Sequence, residues 1–198
     1  MKKFLPCVAV VGLCFSEASA EKPSFVGNFK GFYFGPSLAL GKTRMGVTQQ
    51  RYKKTRAMIG GLLGYGYLLP SDLYIGGEVG LFHDTFSEKK IGQRLEKKGQ
   101  LEGVLRFGQV LQNNFLPYVG LGGACSRYRM ESATQKQTFH SADLIAETGV
   151  DVFVKPNLTI RSSVRYQRGL HIQKNSPAVA VEKKPQSLFL KIGVSYIL

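Results

Sequence analysis

The sequence predicts an all-β fold: a transmembrane antiparallel β-barrel of eight strands, with short periplasmic turns and long extracellular loops. Three observations lead there. From residue 30 onward, segments of about ten residues keep apolar side chains on one parity and polar, charged or small ones on the other, the period of a two-faced strand. Short, turn-forming connections alternate with long ones. The formal net charge of +14 is concentrated in the long connections, while the charges inside the strands share one parity.

The 198 residues suit one domain. Residues 1–20 read as a secretory signal peptide: Lys2 and Lys3 open it, residues 4–15 form a short apolar core, and Ala18-Ser19-Ala20 supplies a small-x-small cleavage site. Ser16 and Glu17 interrupt the apolar run too early for a membrane anchor. A lipidated Cys14 would need a small residue before it, and Leu13 is not small. Residues 21–29 are expected to be a short periplasmic tail, and residues 30–198 the barrel. Cys7 and Cys14 fall in the signal, so Cys125 is left alone and the fold stands without an internal disulfide. It reads as a packed strand residue.

The strands follow in order. Phe32, Phe34, Leu38 and Leu40 mark the first. The second, around residues 57–68, is Gly-rich and its facing is ambiguous. Leu73, Ile75, Val79 and Leu81 oppose Glu78 in the third. Leu101, Leu105 and Phe107 oppose Gln100, Glu102 and Arg106 in the fourth. Pro117, Val119 and Leu121 oppose Tyr118 and Gly120 in the fifth. Leu144, Ala146, Val150, Val152 and Val154 oppose Asp143, Glu147 and Asp151 in the sixth. Leu158, Ile160, Val164 and Tyr166 oppose Thr159, Arg161, Ser163 and Arg165 in the seventh. In the last, Leu188, Leu190, Ile192, Val194, Tyr196 and Leu198 oppose Ser187, Lys191, Gly193 and Ser195, with Phe189 and Ile197 as exceptions. Short turns are expected at residues 69–72, 112–114 and 155–157, and long loops at about 42–56, 84–98, 127–140 and 168–186.

Charge placement separates a membrane barrel from a soluble one. Glu78, Glu102, Arg106, Asp143, Glu147, Asp151, Arg161, Arg165 and Lys191 all oppose the apolar face, as expected if they form an ion-pair network in the lumen. A Lys or Arg turned toward hydrocarbon at the midplane would cost about 2–4 kcal/mol. The four long connections hold 18 Lys and Arg against five Asp and Glu. Lys42, Arg44, Arg51, Lys53, Lys54 and Arg56 form an acid-free cluster around Tyr52. Lys89, Lys90, Arg94, Lys97 and Lys98 form another. Both are expected to be polyanion-binding loops, facing either the phosphates of outer-membrane lipid or anionic host glycans.

Several stretches resemble the eight-stranded outer-membrane barrels, namely the membrane domain of outer membrane protein A and the opacity-protein group. Leu116-Pro117-Tyr118-Val119-Gly120-Leu121-Gly122 is similar to that group's fifth-strand motif. Thr148-Gly149-Val150-Asp151-Val152-Phe153, Lys155-Pro156-Asn157-Leu158 and Val164-Arg165-Tyr166 resemble its sixth and seventh strands. The resemblance implies Sec export, a Gram-negative outer-membrane location, and insertion by the barrel assembly machinery. It also implies an assembly signal at the end of the last strand. Tyr196 matches the family's penultimate aromatic, whereas Leu198 departs from its terminal Phe.

Other function classes find little footing. His140 lies on the strand face opposite Ser141 and Asp143, and His83 opposite Asp84, so neither group makes a simple catalytic triad. No metal-ligand spacing or phosphate-cradling Gly loop is present, so no cofactor is expected. An eight-stranded interior is filled by side chains, which disfavours a general porin, although a narrow solute channel is the runner-up reading. Export makes nucleic acid an improbable partner. The expectation is a monomeric, non-catalytic surface protein, structural or adhesive.

Overall fold

The computed structural model describes residues 29–47, 50–85, 87–90, 93–111, 114–131, 136–174 and 181–198. The expected signal peptide, most of the tail and the turn residues Gln112 and Asn113 lie outside these. Nine strands follow one another: β1 (Gly31–Val47), β2 (Gln50–Leu68), β3 (Leu73–Asp84), β4 (Ser87–Lys90), β5 (Gln93–Gln109), β6 (Phe115–Glu131), β7 (Lys136–Lys155), β8 (Leu158–Lys174) and β9 (Val181–Ile197). β4 spans four residues and pairs only with the start of β5, prolonging that hairpin. The other eight close into an antiparallel barrel. β3 pairs with β5, and β1 pairs with both β2 and β9, so the ring has no free edge.

Alternation fixes which face looks out. Ile59, Leu81, Leu105, Leu121 and Leu190 stand exposed on the outer wall, with Phe32, Leu38 and Ile160 on the same belt. Val152 is half-buried on that face. Water would not tolerate so continuous an apolar girdle, whereas lipid satisfies it. The two exceptions in the last strand, Phe189 and Ile197, point inward and are buried. Cys125 is an exposed outer-wall thiol rather than a packed one.

The facing of β2 is settled by its partners. Tyr33 and Tyr74 send their rings into the interior, and glycines leave room for them. A Cβ at Gly64 would lie 2.3 Å from Tyr33 Cζ, and one at Gly66 would lie 2.6 Å from Tyr74 Cε2. Inward Gly on one strand is therefore the complement of inward Tyr on the next, while Leu63 and Tyr65 of β2 face out.

Two ends differ. At the short-turn end, Leu69 is followed by a single 3-10 turn, Pro70–Asp72, in which Ser71 and Asp72 take left-handed φ values of 70° and 60°. Inside this end Phe29, Tyr33, Leu62, Tyr74, Leu116, Phe153 and Ile197 pack into an apolar plug. Phe29 and Phe153 have ring centroids 4.4 Å apart. Phe29, placed by the sequence in a tail, is thus part of the closed interior. At the other end, the segments expected as long loops are largely strand. The β1–β2 ladder runs out to Val47 and Gln50, and the β6–β7 ladder to Glu131 and Lys136.

Candidate functional site: the charged lumen and the basic rim

The lumen is built from inward positions of every long strand. On β7 and β8 the ladder sets Asp151 opposite Arg161 and Glu147 opposite Arg165. Arg161 grips Asp151 with two bonds, Nε to Oδ1 at 2.9 Å and Nη2 to Oδ2 at 3.0 Å, and its Nη1 crosses the barrel to Glu78 on β3. Arg106 donates to Asp151 at 2.8 Å and lies 3.6 Å above the Tyr118 ring. Arg165 bridges Glu147 at 2.7 Å and Glu102 at 2.5 Å. Lys191 completes the set between Glu78 at 3.2 Å and Glu102 at 3.6 Å. Tyr118 donates to Glu147 at 2.8 Å.

Above this layer, toward the long hairpins, a second polar layer follows. Asp143 accepts from Ser126 at 2.7 Å, Ser141 at 2.5 Å and Gln167 at 2.6 Å. Gln100 donates to Glu102 at 2.7 Å and accepts from Lys97 at 2.5 Å. Lys97 also approaches Asp84 at 3.6 Å, and Arg56 is ion-paired to the same carboxylate. Ser141 is therefore committed to Asp143 inside the lumen, with His140 on the other face of β7.

Two residues expected in the polyanion-binding loops are corrected here: Arg56 and Lys97 are buried lumen cations. For Arg56 the reason is continuity. β2 begins at Gln50, so the inward parity of Met58 carries on to Arg56. For Lys97 it is a break in continuity. A register shift between Lys97 and Gly99 swaps the inward set of β5 from Gln100, Glu102 and Arg106 to Leu95 and Lys97. Asp84 and Gln167 are network members that sequence reasoning missed, and Gln100, already placed on the inward parity, joins them. Extending the parity of Glu78 and Arg165 by a few positions would have found the first two. With these included, the described interior holds six acids (Glu78, Asp84, Glu102, Asp143, Glu147, Asp151) and six bases (Arg56, Lys97, Arg106, Arg161, Arg165, Lys191). Such a set can only be buried if paired. The same pairs span the cross-section and leave side chains where a solute path would run.

Six of the remaining basic residues stay outside. Lys42, Arg44, Lys53, Lys54, Arg94 and Lys98 are exposed. Arg51, Lys89 and Lys90 lie on strand backbone, beyond the residues whose side chains are described. Arg94 and Lys98 flank Glu96 in ion pairs. Tyr196 and Leu198 face outward at the plugged end, where the Tyr196 ring lies 6.1 Å from that of Phe34.

Solved structures share this architecture. Neisserial surface protein A is similar with a TM-score of 0.58 and 19% identity, over 85% of this chain and 98% of that one. Ail, the attachment invasion locus protein of Yersinia pestis, is similar with a TM-score of 0.50 and 16% identity, over 84% of this chain and 99% of its own. Ail has also been solved in complex with the heparin analogue sucrose octasulfate. At these identities the likeness is one of fold, that of an eight-stranded outer-membrane barrel. No family model matches the sequence, and no curated protein does.

Proposed function

We propose that this protein is a surface barrel of a Gram-negative outer membrane, structural or adhesive, whose basic extracellular hairpins contact anionic surface lipid or host glycans. On this reading residues 1–20 direct Sec export, the barrel assembly machinery inserts the chain through the Tyr196–Leu198 end, and the mature protein works as a monomer without a cofactor. The observation that carries the reading is the division of charge. The described interior is balanced, six acids against six bases, while Lys42, Arg44, Lys53 and Lys54 project from one hairpin without an acid among them. The lumen argues against conduction, because its ion pairs bridge β3 to β8 and β5 to β8 across the bore. The complex of Ail with a heparin analogue makes sulfated glycan a natural first probe.

The test is retention of the refolded barrel on immobilised heparin as salt is raised. Screening beyond about 8 Å at physiological ionic strength should elute it. Neutralising Lys42, Arg44, Lys53 and Lys54 to Gln should lower the eluting salt concentration, and neutralising Lys30 and Lys155 at the plugged end should not. Equal elution of both variants would overturn the reading, as would a steady ionic conductance in planar bilayers.

A further inference from the structure

We infer that the β8–β9–β1–β2 sector of the outer wall is a specific binding site for one phosphorylated lipid of the surrounding leaflet. Its head sits on a row of cations and its acyl chain in a furrow below them. The inference rests on the reading above and chooses lipid over glycan for this sector.

The first observation is a row of unneutralised charge. Arg44 pairs in register with Lys53 on β2 and with Gln186 on β9, and Gln186 pairs with Arg168 on β8. Lys42 lies on the same face, nearer the apolar belt, opposite Leu188. All four cations are exposed. Like charges directly opposite on neighbouring strands repel, and no carboxylate stands among the described side chains of the row. The other side of the rim is different: Glu96 sits between Arg94 and Lys98, and Glu131 meets Lys136 at 3.8 Å. Among the described residues, the β8–β2 sector gathers four exposed cations with no ion pair to a carboxylate.

The second observation is independent of charge. A furrow of about 660 Å³ crosses β1, β2 and β3 on the lipid-facing wall, lined by Phe34, Pro36, Gly61, Leu63, Val79 and Leu81. Gly61 forms its floor, in register with Pro36 and Leu81. Nothing in the barrel requires Gly there, since an added Cβ would meet only the Gly35 carbonyl at 3.8 Å. Pro36 precedes Lys42 by six positions on β1. That is about 20 Å along the strand at 3.4 Å per residue, or about 15 Å along the membrane normal at a tilt near 40°. One leaflet of a hydrocarbon core is also about 15 Å thick. A lipid whose lowest phosphate contact is Lys42, with Arg44 and Lys53 above it, therefore brings its chain down to the depth of Gly61.

The experiment is native mass spectrometry of the detergent-solubilised full barrel, titrated with bis-phosphorylated lipid A, with its monophosphorylated form, and with phosphatidylethanolamine. Heparin elution is run on the same variants. Wild type should retain the bis-phosphorylated lipid most strongly. Arg44→Gln with Lys53→Gln should weaken it about tenfold or more. Gly61→Leu, whose Cβ enters the furrow without a clash, should weaken lipid retention several-fold and leave heparin elution unchanged. Gly103→Leu is the control. It faces lipid on β5, where an added Cβ meets nothing within 4 Å, and it should change neither readout. Unaltered lipid retention in Gly61→Leu overturns the inference, and so does an equal loss in Gly103→Leu, which would mean ordinary boundary lipid. If wild type retains no lipid but binds heparin, the inference falls and the surface-binding reading stands. If wild type binds neither, both fall.

Discussion

Arg161 satisfies two carboxylates on opposite walls, Asp151 beside it and Glu78 across the bore. Removing it leaves Glu78 to Lys191 and Asp151 to Arg106, one base short in a buried network. Breaking a buried pair from one side typically costs about 3–5 kcal/mol. Arg161→Met should therefore lower the urea midpoint of the folded barrel, followed by the gel mobility shift between folded and unfolded forms. Adding Glu78→Gln to Arg161→Met should recover part of the loss, because acids and bases then balance, with Asp151 kept by Arg106 and Lys191 by Glu102. Arg56 gives a second expectation that splits stability from binding. Arg56→Gln should lower the midpoint, since Asp84 loses an ion pair, and leave heparin elution unchanged. Lys53→Gln should do the reverse. At this scale the sequence was legible wherever parity was unbroken: Glu78, Glu102, Arg106 and Arg161 are where alternation puts them. Arg56 and Lys97 were misread because a run of charges looks alike in water and in a lumen, and a one-residue bulge leaves no compositional trace.

Strands show the same limit differently. β2 could not be oriented from its own residues, because the signal for its inner face is the Tyr33 and Tyr74 rings of its neighbours. Gly64→Ala should destabilise the barrel strongly, with a Cβ 2.3 Å from Tyr33 Cζ, whereas Gly103→Ala enters open space and should be neutral or mildly stabilising. Thermal midpoints of the two variants check the contrast. The last strand presents Tyr196 and Leu198 outward beside Phe34. A charge there meets apolar surroundings, so Tyr196→Asp should reduce the folded outer-membrane fraction. Leu198→Phe should not, and the yield of heat-modifiable barrel in membrane extracts measures both. Strand ends beyond the apolar belt were the least legible. Residues 42–47 and 50–56 are polar enough for a loop, yet their backbone continues the ladder, because a hairpin pairs its own amides in water as readily as in lipid.

For the molecule as a whole, the expectation is that salt acts on one end alone. The interior pairs are shielded from solvent and the outer cations are not, so raising ionic strength should release polyanions while leaving the thermal midpoint of the empty barrel nearly unchanged. A midpoint that falls in parallel with binding would mean the lumen is open to ions. The eight-strand count and the two unlike ends could be read from alternation and connection lengths. The apolar plug could not, because Phe29, Phe153 and Ile197 come from three distant places, the first from a segment read as a tail and the others as apolar residues on a polar parity. Closure by β1 against β9 has a further consequence, and it concerns time. Tyr33 finds its partner at Ile197, and Phe34 at Tyr196. The contacts that seal the ring thus join residues near opposite ends of the chain, the slowest kind to form. Until that moment the growing sheet has two raw edges able to pair with any strand nearby. Those edges are covered only when the strand carrying Tyr196 and Ile197 reaches β1, so the moment of closure is set by the last strand to form.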